Sequence, residues 1–155
     1  VTDVLIKNLK HLKIYGYKHG GYVSRLSSAA SYQQLNMDFL KPEVQDDLFC
    51  KERPIYTKVK DGAPAKYGSE ALVKNSLIGS GCVIEGEVEN SVLFRGVYVG
   101  KGAKIKNSIV MQDSRIYENT SLDQVIVDKR VNVRPYSNLV GSQEYPLIIP
   151  KGAVV

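Results

Sequence analysis

Side chains with nucleophilic, general-base or soft-metal chemistry are few: two histidines, His11 and His19, and two cysteines, Cys50 and Cys82. The cysteines match no zinc-binding spacing and read as free buried thiols that pack as small hydrophobes. His19 stands beside Gly20 and Gly21 and reads as an exposed turn residue. The chain has no GxSxG elbow and no glycine-rich phosphate loop opening a helix. Seven basic residues, Lys101, Lys104, Lys106, Arg115, Lys129, Arg130 and Arg134, could grip a phosphorylated small molecule. The competing reading makes each a solvated, outward strand position. The net charge is +5, but the signs alternate along the chain instead of forming blocks, so no nucleic-acid partner is expected. No apolar run approaches the roughly 18 to 20 residues that cross a bilayer, and no secretory leader opens the chain. The expected location is cytoplasmic, with no membrane partner. The chain opens on Val1 and runs uncapped into VTDVLIKNLKHLKIYGY, which reads as a fragment cut from a longer protein.

The elements that must position these groups are announced by repetition. Asn75-Ser-Leu-Ile78, Asn90-Ser-Val-Leu93 and Asn107-Ser-Ile-Val110 begin 15 and then 17 residues apart. Three apolar series keep the 17-residue step: Val88, Ile105, Leu122 and Leu139; Val92, Ile109 and Ile126; Val99, Ile116 and Val133. All ten positions are aliphatic in a chain that is 43% hydrophobic, so composition alone does not produce them. The period is too short for paired helices and fits a solenoid coil of three short strands. Glycine and asparagine sit where such a coil must turn sharply. All three series are expected to form inward ladders, and Pro135, Pro146 and Pro150 to terminate the stack. Acyl transfer on such a solenoid needs a histidine base at a coil edge, and both histidines precede the repeat. That argues against the reaction, and equally against a three-histidine zinc site on the coils.

Before residue 69 the texture changes. Residues 27–40 carry Tyr32, Leu35 and Phe39 on one helical face, with serines to cap the start and Pro42 to stop the helix. Residues 12–26 alternate around His19-Gly-Gly21 and predict a strand, a glycine turn and a return strand. Residues 46–68 read as a linker, with Pro54-Ile-Tyr-Thr57 extended along a neighbour.

The order of Asn36-Met-Asp-Phe-Leu40, Pro54-Ile-Tyr-Thr57, Ala63-Pro-Ala-Lys66, Asn75-Ser-Leu-Ile78, Val88-Glu-Asn-Ser-Val-Leu93 and Ile126-Val-Asp-Lys129 resembles the C-terminal part of the glucose-1-phosphate adenylyltransferase (ADP-glucose pyrophosphorylase) family. The resemblance implies a mainly β chain: a left-handed parallel β-helix, a hexapeptide-repeat solenoid over residues 69–155, used in assembly and regulation. Residues 1–45 would be the tail of an α/β nucleotidyltransferase domain and 46–68 the linker. The family makes ADP-glucose and pyrophosphate from ATP and glucose 1-phosphate with Mg²⁺, for glycogen or starch. Catalytic members carry a Trp-Arg-Asp-Val-Gly-Thr segment before the helix, whose carboxylate helps hold the metal. Here the segment is Tyr22-Val-Ser-Arg-Leu-Ser27, which puts Ser24 at the aspartate position. A neutral hydroxyl cannot replace a carboxylate on a hard dication.

No catalytic or metal-binding residue is therefore expected in this chain, and no cofactor of its own. It looks most like the GlgD-type branch, a glycogen-biosynthesis subunit that modulates a catalytic paralogue through hetero- or homo-oligomers built on the β-helix. The alternatives are the tail of an active adenylyltransferase, with Ser24 an ordinary turn residue, and another sugar-nucleotide pyrophosphorylase or a translation-factor subunit on the same plan. By the same resemblance Lys129 matches a lysine that binds anionic effectors and is the effector-binding candidate; taken alone it also reads as a solvated strand lysine. By the same resemblance a second effector lysine of the family, shortly before a closing Ile-Pro-x-Gly motif that is Ile149-Pro-Lys-Gly152 here, is replaced by Tyr145.

Overall fold

In the computed structural model of the chain, residues 2–57 and 60–155 are described. A π-helical turn, Thr2–Ile6, opens it. Two α-helices follow, α1 (Ala29–Asp38) and α2 (Pro42–Leu48). Fifteen short strands then wind as a parallel solenoid. They are β1 Lys66–Tyr67, β2 Leu72–Lys74, β3 Leu77–Ile78, β4 Val83–Ile84, β5 Glu87–Glu89, β6 Val92–Leu93, β7 Tyr98–Val99 and β8 Lys104–Lys106. The remainder are β9 Ile109–Val110, β10 Arg115–Ile116, β11 Ser121–Asp123, β12 Val125–Val127, β13 Asn132–Val133, β14 Asn138–Val140 and β15 Leu147–Ile149. Every third strand stacks, giving three five-stranded sheets: β1-β4-β7-β10-β13, β2-β5-β8-β11-β14 and β3-β6-β9-β12-β15. All pairings are parallel, with Val88, Ile105, Leu122 and Leu139 in register, as are Val99, Ile116 and Val133.

The coils turn where the sequence repeats. Asn75, Asn90 and Asn107 take left-handed φ values of 43°, 46° and 45°, which asparagine tolerates better than most residues. The serine after each asparagine then stitches coils together. Ser91 Oγ donates to the Glu89 carbonyl and accepts from Ser108 N, while Ser108 Oγ donates to the Lys106 carbonyl and accepts from Val125 N. Both serines are fully buried, and these bonds satisfy them. The first 15-residue step arises at another corner, where only Glu85 and Gly86 join β4 to β5 against four residues between β7 and β8. A side chain on Gly86 would collide with the Ala103 carbonyl and sit 2.7 Å from that of Gly100. Tight passage at that point requires glycine.

One core runs up the solenoid, built from Ile84, Val99 and Ile116 on the first sheet, Val88, Ile105 and Leu122 on the second, and Leu93, Val110 and Val127 on the third. The series Val92, Ile109 and Ile126 is not part of it. Successive strand residues point to opposite faces, so in β9 an inward Val110 places Ile109 outside. Ile109 is nevertheless fully buried, and Val92 and Ile126 nearly so, because the outer face of the third sheet is covered. These three are not inward ladder residues, contrary to the expectation from their period. Leu77 and Ile148, in register at the two ends of the same row, are exposed.

The region before the solenoid departs from expectation in three further ways. No strand forms over residues 12–26; Tyr15, Tyr17 and Val23 are exposed, and no described segment pairs with them. Pro42 does not merely stop a helix but occupies the first turn of α2, where its missing N–H costs nothing. Ile55 and Tyr56 are exposed, so Pro54–Thr57 is not packed along a neighbour among the described residues; Lys58 and Val59 of the linker fall outside them. The proline expectation concerns the final coil, where Pro146 closes a six-residue connection between β14 and β15 and Pro150 follows β15. That connection stretches the last step to 22 residues, from Ile126 to Ile148.

Candidate functional site

Helix α1 starts at a capping box. Ser28 Oγ accepts from Ser31 N, and Ser31 Oγ accepts from Ser28 N. Its buried positions are Gln33 and Asn36, whereas Tyr32, Leu35 and Phe39 are only half-buried. The surface beneath explains this. Gln33 Nε2 donates to the Asn107 carbonyl and to Gln124 Oε1, each at 2.6 Å, so α1 docks on a polar solenoid corner and needs an amide there. At the other side of the third sheet, burial raises the Tyr32 phenol's pKa and the Asp128 carboxylate adds to the rise, against a hydrogen bond with Asn36. Helix α1 therefore bridges the outer face of the third sheet from Asn107 to Asp128 and shields Ile109.

The segment holding Ser24 is tied to the same helices. Asp38, at the end of α1, accepts from the Tyr22 hydroxyl at 2.9 Å, Gln34 Nε2 at 3.0 Å and Lys41 Nζ at 2.7 Å. Partial burial alone would raise its carboxyl; the three donors outweigh that and hold it below the usual carboxylate range. Tyr22 N donates to Asp47 of α2 at 2.6 Å. Ser24 itself is exposed; the Tyr22 hydroxyl's pKa is raised by burial first and by Asp38 second, with the Ser24 side chain opposing. The residues present do not fit a divalent-cation site. Ser24 offers a hydroxyl, Asp38 and Asp47 are engaged by donors, and among the described residues no group of three His, Cys, Asp or Glu side chains converges. Sequence patterning did not single out Gln33, Asp38 or Asp47; Gln33 beside the apolar positions Tyr32 and Leu35 is the one signal that could have pointed to a polar seat.

Lys129 lies at an exposed corner after β12, its N–H donating to Asp128 Oδ1. The corner repeats from coil to coil: Asp113 N donates to the Arg95 carbonyl, Arg130 N to Gln112 and Gly152 N to Lys129. Arg95, Gln112, Lys129 and Lys151 thus stand on successive rungs about 4.8 Å apart. Tyr145 belongs to the β14–β15 connection and is 80% exposed. On the second sheet Lys104 pairs with Glu87 and Lys106 with Glu89, each at 3.3 Å, and Lys74 with Glu89 at 3.5 Å. Of the seven candidate basic residues, Lys104 and Lys106 thereby face carboxylates on the neighbouring coil. Both histidines are exposed, and both cysteines are free; Cys82 is buried with its Sγ donating to the Phe94 carbonyl, whereas Cys50, also expected to be buried, is only half-buried.

Over residues 63–144, more than half of the chain, the sequence matches the family described as GlmU-like, C-terminal hexapeptide. The chain belongs to that family. It is 44% identical over 154 residues to the glycogen biosynthesis protein GlgD of Bacillus subtilis, covering 99% of this chain and 45% of that protein. It is 47% identical over 119 residues to GlgD of Geobacillus stearothermophilus, covering 77% of this chain and 35% of the relative. It is 36% identical over 132 residues to the glucose-1-phosphate adenylyltransferase of Desulfitobacterium hafniense, covering 85% of this chain and 33% of the relative. The chain spans less than half the length of these curated relatives. The resemblance to the C-terminal part of adenylyltransferase-family proteins therefore stands on identity across nearly the whole chain as well as on the repeat. No helix among the described residues is long and apolar enough to cross a membrane.

Proposed function

We propose that this chain is the assembly and regulatory part of a cytoplasmic glycogen-biosynthesis subunit of the ADP-glucose pyrophosphorylase family, itself catalytically impaired. In this reading it modulates a catalytic paralogue that makes ADP-glucose from ATP and glucose 1-phosphate with Mg²⁺. Residues up to the end of α2 at Leu48 are the tail of the nucleotidyltransferase domain, so the boundary expected at residue 45 moves past that helix; the β-helix through which subunits associate begins at β1, Lys66, inside the segment expected to be linker. The observation that carries the reading is the chemistry at Ser24. A hydroxyl stands where catalytic members resemble one another in an aspartate, and the nearby carboxylates Asp38 and Asp47 hold Tyr22 in place. Without a free carboxylate the segment can neither bind a hard dication nor offset its charge. Lys129, with Lys151 on the next rung, is the anion contact through which an effector acts; Tyr145 in place of a second lysine leaves that contact weaker than in catalytic relatives.

The test is ADP-glucose formation by the full-length parent protein with Mg²⁺, ATP and glucose 1-phosphate, alone and mixed with a catalytic paralogue. Silence alone, with a changed rate or effector response in the mixture, is the expected result. Robust turnover by the parent alone overturns the reading and makes the chain the tail of an ordinary adenylyltransferase.

A further inference from the structure

Two adjoining hollows separate α1 and the start of α2 from the corner of the solenoid. One, of about 290 Å³, is lined by Gln33, Gln34, Met37, Asn107, Gln124 and Gln143 among others. The other, of about 370 Å³, continues past Met37 and Asn107 to Asn75 and Asn90. Amides dominate the lining because Asn75, Asn90, Asn107 and Gln124 occupy the same left-handed corner on successive coils, with φ between 43° and 57°. The corner needs residues tolerant of that backbone, and stacking the coils turns a local preference into a row of carboxamides.

The row is incompletely paired. Asn75 Nδ2 donates to Asn90 Oδ1 and Asn107 Nδ2 to Asp123 Oδ1, but no hydrogen bond joins Asn90 to Asn107. Gln33 is 96% buried, and both hydrogens of its amide are spent on Asn107 and Gln124. Its Oε1 has no donor among the described residues, and turning the amide over would set that oxygen against the Asn107 carbonyl. A buried acceptor left this way is costly.

We infer that this amide-lined groove binds a neutral, hydroxyl-rich ligand, either a free sugar or the end of an oligosaccharide. Each carboxamide offers a donor and an acceptor, and each hydroxyl of such a ligand is both. The 290 Å³ hollow has no charged side chain in its lining, so it offers a phosphate or carboxylate no opposite charge. Neither hollow is lined by an aromatic ring on which a nucleobase could stack. Lys41, the one cation in the larger hollow, is held by Asp38. Met37 supplies an apolar platform where the two hollows meet. This site is separate from Lys129 and from the Ser24 segment, and it stands or falls independently of the proposed subunit role.

The experiment is a titration of the ¹⁵N-labelled 155-residue chain with glucose, maltotriose and inorganic phosphate, read at side-chain amide resonances. Saturable shifts of the Gln33, Gln34 and Asn107 amides with sugar, and none with phosphate, are expected. Maltotriose tighter than glucose assigns the groove to a chain end; equal affinity assigns it to a free sugar. A Gln34→Ala, Gln143→Ala double variant, both positions being exposed, is expected to bind roughly five- to tenfold more weakly with an unchanged melting temperature. Amide resonances that stay fixed at saturating sugar, phosphate shifting the same resonances, or a double variant that binds as tightly as the parent would each overturn the assignment.

Discussion

Residues 4–26 and the solenoid carry similar apolar side chains and treat them in opposite ways. Ile6, Leu9, Tyr15, Tyr17 and Val23 are exposed, Tyr17 to 91%, whereas Ile84, Val99, Ile105 and Ile116 have no solvent-accessible surface. Hydrophobicity does not separate the two regions; the availability of partners does. Each solenoid strand finds its hydrogen-bonding neighbour one coil away, 15 to 22 residues along the chain. The alternating segment 12–26 has no such neighbour among the described residues, and a lone hairpin gains too little to form by itself.

The sharpest way to break this contrast is to place a charge in each region. Ile105→Asp buries an unpaired carboxylate between Val88 and Leu122 and is expected to abolish cooperative melting, whereas Tyr17→Asp should leave the melting curve within about 0.5 kcal/mol of the parent. A cooperatively folded Ile105→Asp protein would refute the assignment of that ladder to the core. Next in size is Ile109→Ala, which touches the joint and not the core. It is expected to cost about 2–4 kcal/mol and to expose residues 27–48 to protease while the solenoid's circular dichroism persists. Loss of the whole solenoid signal would return Ile109 to the interior. Gly86→Ala, forced against the Ala103 and Gly100 carbonyls, should destabilise by about 1–3 kcal/mol. An unchanged midpoint in urea would show that this corner yields.

Smaller again is the acid response of the Tyr22 latch. The folded-state pKa of Asp38 is depressed, so its contribution is present above the unfolded carboxyl value and is lost as pH falls through the folded one. Tyrosine fluorescence at acid pH should report release of Tyr22 in the parent and no such step in Asp38→Asn. A step of the same size in both proteins would remove Asp38 from the latch. Smallest is the ladder of exposed ion pairs. Lys106→Met removes the leading cause of the lowered Glu89 pKa, a hydrogen-bonded lysine, yet should give no resolvable change in melting.

Much of the solenoid is legible in the chain because a repeat writes its pairing distance directly into the spacing of Asn75, Asn90 and Asn107. The candidate site is far less legible. Tyr32, Leu35 and Phe39 advertise an apolar helix face, yet Gln33 and Asn36 are the residues buried, since α1 lands on backbone carbonyls and carboxamides. Periodicity reports where a side chain points relative to its own element and is silent on what the partner surface needs. The latch at Tyr22 joins residues 16 and 25 positions apart through two aspartates, and separations of that kind leave no pattern.

From the sequence alone follow the coil length, the left-handed asparagine corners, the two true ladders and the hydroxyl at Ser24, because each depends on a residue and its fixed distance to its own copy in the next coil. Which aliphatic row faces outward beneath a helix was decided only in three dimensions. Ile109 and Val110 are neighbouring β-branched aliphatics, and a strand buries both when α1 covers the second face; only the position of that helix distinguishes core from joint.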